Sequence, residues 1–300
     1  EWFDMRKNKL TASAFADALN LSHFKTRDES LLDKIIDKPF EANPITEWGV
    51  KYEEVATRFY EHITKSKIHE FGLIPHPEFP AFGASPDGIC DENSPSDYIG
   101  RMLEIKCPPK RKFTKSVPKH YWMQMQGQME VCDLDECDFL QVKLEEYENF
   151  DEYKNDTNDN DDDGLREDNL PKGYTLTYLK SDSDKFHYLY CPLFSSNDEI
   201  LKWKENMLNF LKKENYSLKE EKFWKITRYE CTLVVRDKGW WNDNICNIYK
   251  YYNDLLYYKT GDNIEILKKK VLEGSSNKKF YHIKENTIED FYLITNDEGL

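Results

Sequence analysis

Two short segments constrain this chain more than any other part of it. Gly83-Ala84-Ser85-Pro86-Asp87-Gly88-Ile89 and Leu103-Glu104-Ile105-Lys106-Cys107-Pro108 are apolar runs broken by charge and punctuated by Gly and Pro. That pattern predicts neighbouring strands joined by the loop at 91–100. In a strand, side chains two apart share a face, so Glu104 and Lys106 project together while Ile105 packs opposite. With the strands side by side, Asp87 points to the same side. Two carboxylates and an ammonium then converge on one point. Glu-x-Lys alone is commonplace, and a surface Asp-Gly turn before such a strand is the bland alternative. The specific feature is the pairing of a Pro-Asp-Gly turn upstream with a Cys-Pro exit downstream.

The surrounding pattern supplies layers for such a sheet. Thr11 or Ser13 is placed to cap an Ala-rich helix through Leu19, and a second helix is expected around Ser30–Lys38, ended by Pro39. After Thr46, the residues Tyr52, Val55, Ala56, Phe59 and Ile63 recur at helical spacing and form one apolar stripe. Strands are expected at Ile68–Ile74, Phe82–Cys90 and Met102–Cys107, then a helix over Lys119–Cys132 and a strand over Phe139–Leu144. Tyr174–Leu179 with Phe186–Leu193 reads as a hairpin. Glu199–Lys213 reads as a helix, Phe223–Val235 as a strand and Trp240–Lys259 as a helix. This order predicts an α/β or α+β core with a mixed sheet.

Net charge is −14, which looks hostile to a polyanion until its distribution is considered. Residues 145–168 hold 12 acids and two bases, a net of −10, which leaves −4 for the other 276 residues. Residues 148–170 are expected to form a solvated, mobile loop. By contrast, residues 105–129 contain no acid and six bases: Lys106, Lys110, Arg111, Lys112, Lys115 and Lys119. Seven scattered cysteines fit a reducing compartment, and no apolar run is long enough to span a membrane.

Close carboxylates repel unless a cation sits between them, and oxygen-rich sites suit Mg²⁺, with Mn²⁺ as a substitute. A metal between Asp87 and Glu104 would polarise a phosphoryl oxygen, and Lys106, driven towards its neutral form by burial and the nearby cation, would orient or deprotonate water, or stabilise charge on the phosphate. Glu53, in Trp48-Gly49-Val50-Lys51-Tyr52-Glu53, offers a third carboxylate, while Trp48 and Tyr52 pack. Gln124 and Gln128 are four apart on one helix face, available to phosphate or water. Met123, Met125 and Met129 are core filler, and His120 and Tyr121 fit either the site or packing. Arg6 with Ser13 at a helix start makes an anion site, because free amides and a guanidinium both favour phosphate.

Together these residues are recognisable. The order Arg6…Thr11-Ala12-Ser13, Trp48-Gly49-x-x-Tyr52-Glu53, Ser85-Pro86-Asp87-Gly88, Glu104-Ile105-Lys106-Cys107-Pro108 and Tyr121-x-x-Gln124-x-Gln126 resembles the lambda exonuclease/YqaJ viral recombinase family. The likeness covers about residues 1–145 and fades by about 195. It implies a restriction-endonuclease-like α/β core, a central mixed sheet flanked by helices, followed by a C-terminal strand-and-helix extension of the kind found in relatives from large DNA viruses. The implied division is a nuclease domain over 1–195, with the acidic insertion at 145–170, and an extension over 196–300 packed on it.

The resemblance further implies a metal-dependent exonuclease that degrades one strand of duplex DNA 5′→3′ from a 5′-phosphorylated end, for viral recombination, repair or replication. It would make Asp87, Glu104 and the Ile105 carbonyl metal ligands, with Lys106 and Gln124 positioning water. Glu53 would serve a second metal or its water shell, and Arg6, Ser13 and Ser85 would grip the 5′-phosphate. Lys110, Arg111, Lys112, Lys115 and Lys119 follow the catalytic strand, where duplex backbone would pass. A strand-separating wedge is implied, with no residue assigned. Homo-oligomerisation, a single-strand annealing partner and an intracellular setting, host cytoplasm for a cytoplasmically replicating virus, complete the expectation. The competing readings are a structure-specific endonuclease with the same core and a non-catalytic DNA-binding recombination scaffold.

Overall fold

The computed structural model describes residues 9–36, 43–110, 113, 116–157 and 164–284. Its centre is a seven-stranded mixed sheet with strands in the order β2-β5-β6-β7-β10-β8-β9. These strands are β2 (Ile68–His69), β5 (Gly88–Cys90), β6 (Met102–Lys106), β7 (Glu136–Glu146), β8 (Lys172–Leu179), β9 (Phe186–Tyr190) and β10 (Ser217–Val235). β6 and β7 run parallel and the other neighbours antiparallel. A small second sheet orders β1 (Leu10–Thr11), β4 (Phe82–Ala84) and β3 (Ile74–Pro75).

Two helices sandwich the main sheet. α3 (Pro44–Thr64) begins two residues before Thr46, because Asn43 caps Ile45 N–H and Pro44 fills the first helical position, where a missing amide costs nothing. Its apolar stripe, Tyr52, Val55, Ala56, Phe59 and Tyr60, packs on Leu103, Ile105, Leu140, Val142 and Trp224. Each large side chain so buried contributes about 1.5–3 kcal/mol. α4 (Lys119–Cys132) covers the opposite face, with Met125 and Met129 on Met102, Phe139 and Val234. The methionines are therefore core, as expected. A Cβ on Gly127 of α4 would meet the Phe15 ring at 2.3 Å, so glycine is what lets α1 (Phe15–Ala18) cross this closely. Around α1 a third cluster gathers α2 (Arg27–Ile35), α7 (Lys238–Tyr258) and α8 (Asn263–Lys284), with Phe15, Phe82 and Trp241 at its heart.

Several expectations are corrected. Ile68–Ile74 is two strands in different sheets, broken around Gly72, as Ile68 pairs with Cys90 while Ile74 pairs with Ala84. Phe82–Cys90 is likewise split at Ser85-Pro86-Asp87, because Pro86 has no amide to continue a ladder. Neither Thr11 nor Ser13 caps the first helical turn; their hydroxyls bond each other at 3.1 Å. The described part of the acidic insertion is also less free than the mobile loop expected over residues 148–170. α5 (Phe150–Asn155) forms there, Tyr153 is buried, and Lys172 donates to the carbonyls of Tyr153 and Asp156, both at 2.6 Å.

β10 lies between β7 and β8. Strands from both sides of residue 195 thus share one sheet, and α6 (Asn197–Lys213) leads into it.

Candidate active site

The face of β6 that looks towards α4 carries Glu104 and Lys106, while Leu103 and Ile105 face α3. Gly88 pairs with Leu103 in antiparallel register, which sets Asp87 opposite Glu104. The chain break at Pro86 frees the Asp87 side chain to turn inward, and its Oδ2 accepts the Ile105 amide at 2.6 Å. Asp87, Glu104 and Lys106 are thereby brought together on adjacent strands.

Glu104 is 1% exposed and fully occupied by donors. Lys106 Nζ pairs with Oε1, Gln124 Nε2 donates to the same oxygen at 2.7 Å, and Gln128 Nε2 donates to Oε2 at 2.8 Å. The two glutamines do share one helix face, but their amide groups hold the carboxylate. Gln128, expected with Gln124 to be available to phosphate or water, is instead engaged by Glu104. Tyr121 lies beneath Lys106, with Nζ 5.2 Å from the ring centroid.

The electrostatics are frustrated. Burial, then the Glu104 charge, pushes the Asp87 carboxyl well above the usual range, with Lys106 and the Ile105 amide opposing. Glu53, on the solvent-exposed side of α3, is also raised: desolvation acts upward, Lys106 pulls it down, and Glu104 and Glu70 add repulsion. For Lys106, burial acts downward but is overcome by Glu104 and Asp87, so the amine is held above its ordinary value. The expected neutral form rested on burial together with a bound cation; with the two acids alone facing the amine, the ammonium is favoured.

Among the described residues, no three His, Cys, Asp or Glu side chains form a group that could hold a metal ion by themselves. Asp87 and Glu104 nevertheless provide two facing carboxylates, an all-oxygen set suited to Mg²⁺ or Mn²⁺. Two neighbouring buried acceptors, Ser85 Oγ and Gln128 Oε1, have no hydrogen-bond partner in this site, as a place built for hydrated cation or phosphate requires. The residues fit a divalent ion.

Other expected residues are placed as follows. Ser85 adjoins the cluster, with its carbonyl 3.4 Å from Gln128 Nε2. Ser13 is exposed and follows Ala12, which packs against Gly127, the neighbour of Gln128. Lys110 and Lys119 are exposed at the two ends of the basic run. Arg6, Arg111, Lys112 and Lys115 lie outside the described residues. Arg228 of β10 stands over the Phe113 ring at 5.3 Å, a base beside the run that nothing in its local sequence signals.

The family model of the YqaJ-like viral recombinase domain matches residues 1–135, the span that holds every member of this cluster. An uncharacterized protein of Acanthamoeba polyphaga mimivirus is 31% identical over 328 aligned positions, covering 99% of this chain and 59% of that protein. The chain thus spans about three-fifths of that relative's length. Two solved structures are also similar. One is an alkaline exonuclease from Laribacter hongkongensis (21% identity, 91% of this chain and 97% of that one, TM-score 0.49). The other is a phage-related exonuclease from Haemophilus somnus 129PT (15% identity, 84% and 96%, TM-score 0.42). Among the described residues, no helix is long and apolar enough to cross a membrane.

Proposed function

We propose that this YqaJ-like chain is a metal-dependent exonuclease that removes one strand of duplex DNA 5′→3′ from a 5′-phosphorylated end, leaving a 3′ overhang for recombination or repair. The observation that supports it most is the convergence of Asp87, Glu104 and Lys106 on two adjacent strands, backed by Gln124 and Gln128. Asp87, Glu104 and the Ile105 carbonyl would hold Mg²⁺, which when bound supplies Lewis-acid polarisation of the scissile phosphate and an activated water. Lys106, as an ammonium, stabilises charge developing on the phosphate. Gln124 and Gln128 fix the Glu104 carboxylate, and Glu53 aids a second ion or its waters. Arg6, Ser13 and Ser85 serve the terminal phosphate, and the run from Lys110 to Lys119 tracks the duplex backbone through sequence-independent contacts. An annealing protein that receives the overhang, self-association and action in the host cytoplasm belong to the same reading.

The test is a linear 5′-phosphorylated duplex and a closed circle of the same sequence, each incubated with Mg²⁺. Loss of the linear form alone, slowed by a 5′-hydroxyl, supports an end-dependent enzyme. Nicking of the circle would make it an endonuclease, and neither product would leave a binding scaffold. Arg6→Ala should reduce the preference for phosphorylated ends more than it reduces duplex binding; equal losses would make Arg6 structural.

A further inference from the structure

A cleft of about 570 Å³ lies at the C-terminal end of α3, between that helix, the turn before β2 and the loop that follows β9. None of the residues of the candidate active site line it. By helical rise it begins about 8 Å along α3 from Glu53 and extends to about 18 Å. Its charged lining is Arg58, Lys65 and Lys67 against Glu61, a net of +2 in a chain of −14. The nearby acids are already bonded. Glu54 accepts from Arg58 Nε at 2.6 Å, and Glu61 accepts the Ile68 amide at 2.9 Å. Lys67 reaches Glu61 at 3.5 Å with its side chain 63% exposed, and Lys65 makes no ion pair among the described residues. Ser66 also lines the cleft, and its buried hydroxyl has no hydrogen-bond partner beyond the Cys90 thiol.

Another part of the lining is aromatic. Phe194 lies against His62, with ring centroids 4.3 Å apart. Burial and the Lys65 charge hold His62 below its ordinary value, so the imidazole is a neutral ring at pH 7. Lys65 and Phe194 both occupy the left-handed region, at φ 60° and 64°, where glycine or asparagine is usual and a bulky side chain is rare. Such strain persists only where the surroundings fix it, and it gathers at binding sites. Here Gly164 fixes Phe194, since a Cβ on that glycine would stand 2.7 Å from Phe194 Cα. Cations at the end of a helix offset its negative pole. That role accounts for a lysine in the last turn, but it asks for no cleft with an aromatic wall.

We infer that this cleft binds a nucleotide, with the base against His62 and Phe194 and the phosphate between Lys65 and Lys67. Ammonium groups without a close acid select an anion, and a neutral aromatic wall selects a flat ring. A nucleotide carries both, and the cleft is of the size that takes a ligand of that class. A free mononucleotide and one nucleotide within a single strand present the same chemistry to it.

Calorimetric titration of the full chain in EDTA tests this, with deoxyadenosine monophosphate, inorganic phosphate, deoxyadenosine and a single-stranded deoxyadenosine hexamer as probes. Neither metal nor cleavage enters the measurement, so its failure is separate from failure of the nuclease reading. The expected result is one saturable site for the monophosphate, which phosphate or nucleoside alone fills at least tenfold more weakly. Lys65→Gly removes the ammonium and relieves the left-handed residue, so the fold is kept. That variant and His62→Ala should each weaken binding about tenfold. A hexamer that binds more tightly than the monophosphate makes the occupant a strand segment; equal or weaker binding makes it a free nucleotide. Three results would overturn the inference: no saturable binding by millimolar monophosphate or hexamer, phosphate that binds as tightly as the monophosphate, or binding that either variant leaves unchanged.

Discussion

Two regions of the central sheet treat their acids in opposite ways. Around the β7–β10 junction, each acid is met by a cation and a phenol. Glu146 accepts from Lys51 at 2.7 Å and Tyr52 at 2.6 Å, and Asp156 from Tyr147 at 2.7 Å and Arg166 at 3.2 Å. Burial pushes both carboxyls up, but these bonds hold them below the ordinary range. At β5 and β6 the balance reverses. Asp87 has one backbone donor and a facing carboxylate, and its carboxyl is held well above the ordinary range. Charge is settled where it only holds the fold together and left unsettled where chemistry is expected.

The largest expected effect sharpens that contrast. Lys106→Ala should lower the cleavage rate on the order of 10³-fold while duplex binding by electrophoretic shift stays within a fewfold. Full activity in that variant would remove Lys106 from the mechanism. At the β7–β10 junction, Lys51→Met should cost stability instead. Lys51 is buried between Glu146 and Glu220, and its loss leaves acids with too few donors, at about 3 kcal/mol in denaturant unfolding. The folded fraction should cleave at the parent rate. A smaller difference lies in pH dependence. Depressed carboxyls such as Glu146 and Asp156 contribute stability that is present above their unfolded values near pH 4 and lost as pH falls through the folded values. Asp87 has the opposite sign: its raised value makes the ionised form a burden that protonation relieves. Asp87→Asn should therefore raise the melting temperature at neutral pH, with the gain shrinking as the medium is acidified. A variant that melts lower at neutral pH would break the contrast.

Legibility in the sequence followed the range of the interactions involved. α4 spans Lys119–Cys132 as its pattern predicts, and the face-sharing of Glu104 and Lys106 follows from strand alternation alone. The antiparallel neighbourhood of Asp87 needed only two adjacent strands and a short loop. Strand order was not legible. β10 enters between β7 and β8 through contacts 38 to 99 residues away in sequence, and no local signal encodes such a partner. Gln128 was visible as a spacing, but its role as a clamp on Glu104 depends on the depth at which α4 crosses the sheet, which Gly127 sets against Phe15. For Lys106, the two facing acids pull against the burial on which the expectation of a neutral amine partly rested.

Calorimetric titration of Mn²⁺ into the full chain probes the paired carboxylates most directly. One saturable site should appear in the parent protein and vanish in Glu104→Gln and in Asp87→Asn, both of which should remain folded by circular dichroism. Unchanged binding in both folded variants would show that these two acids are not where the cation sits.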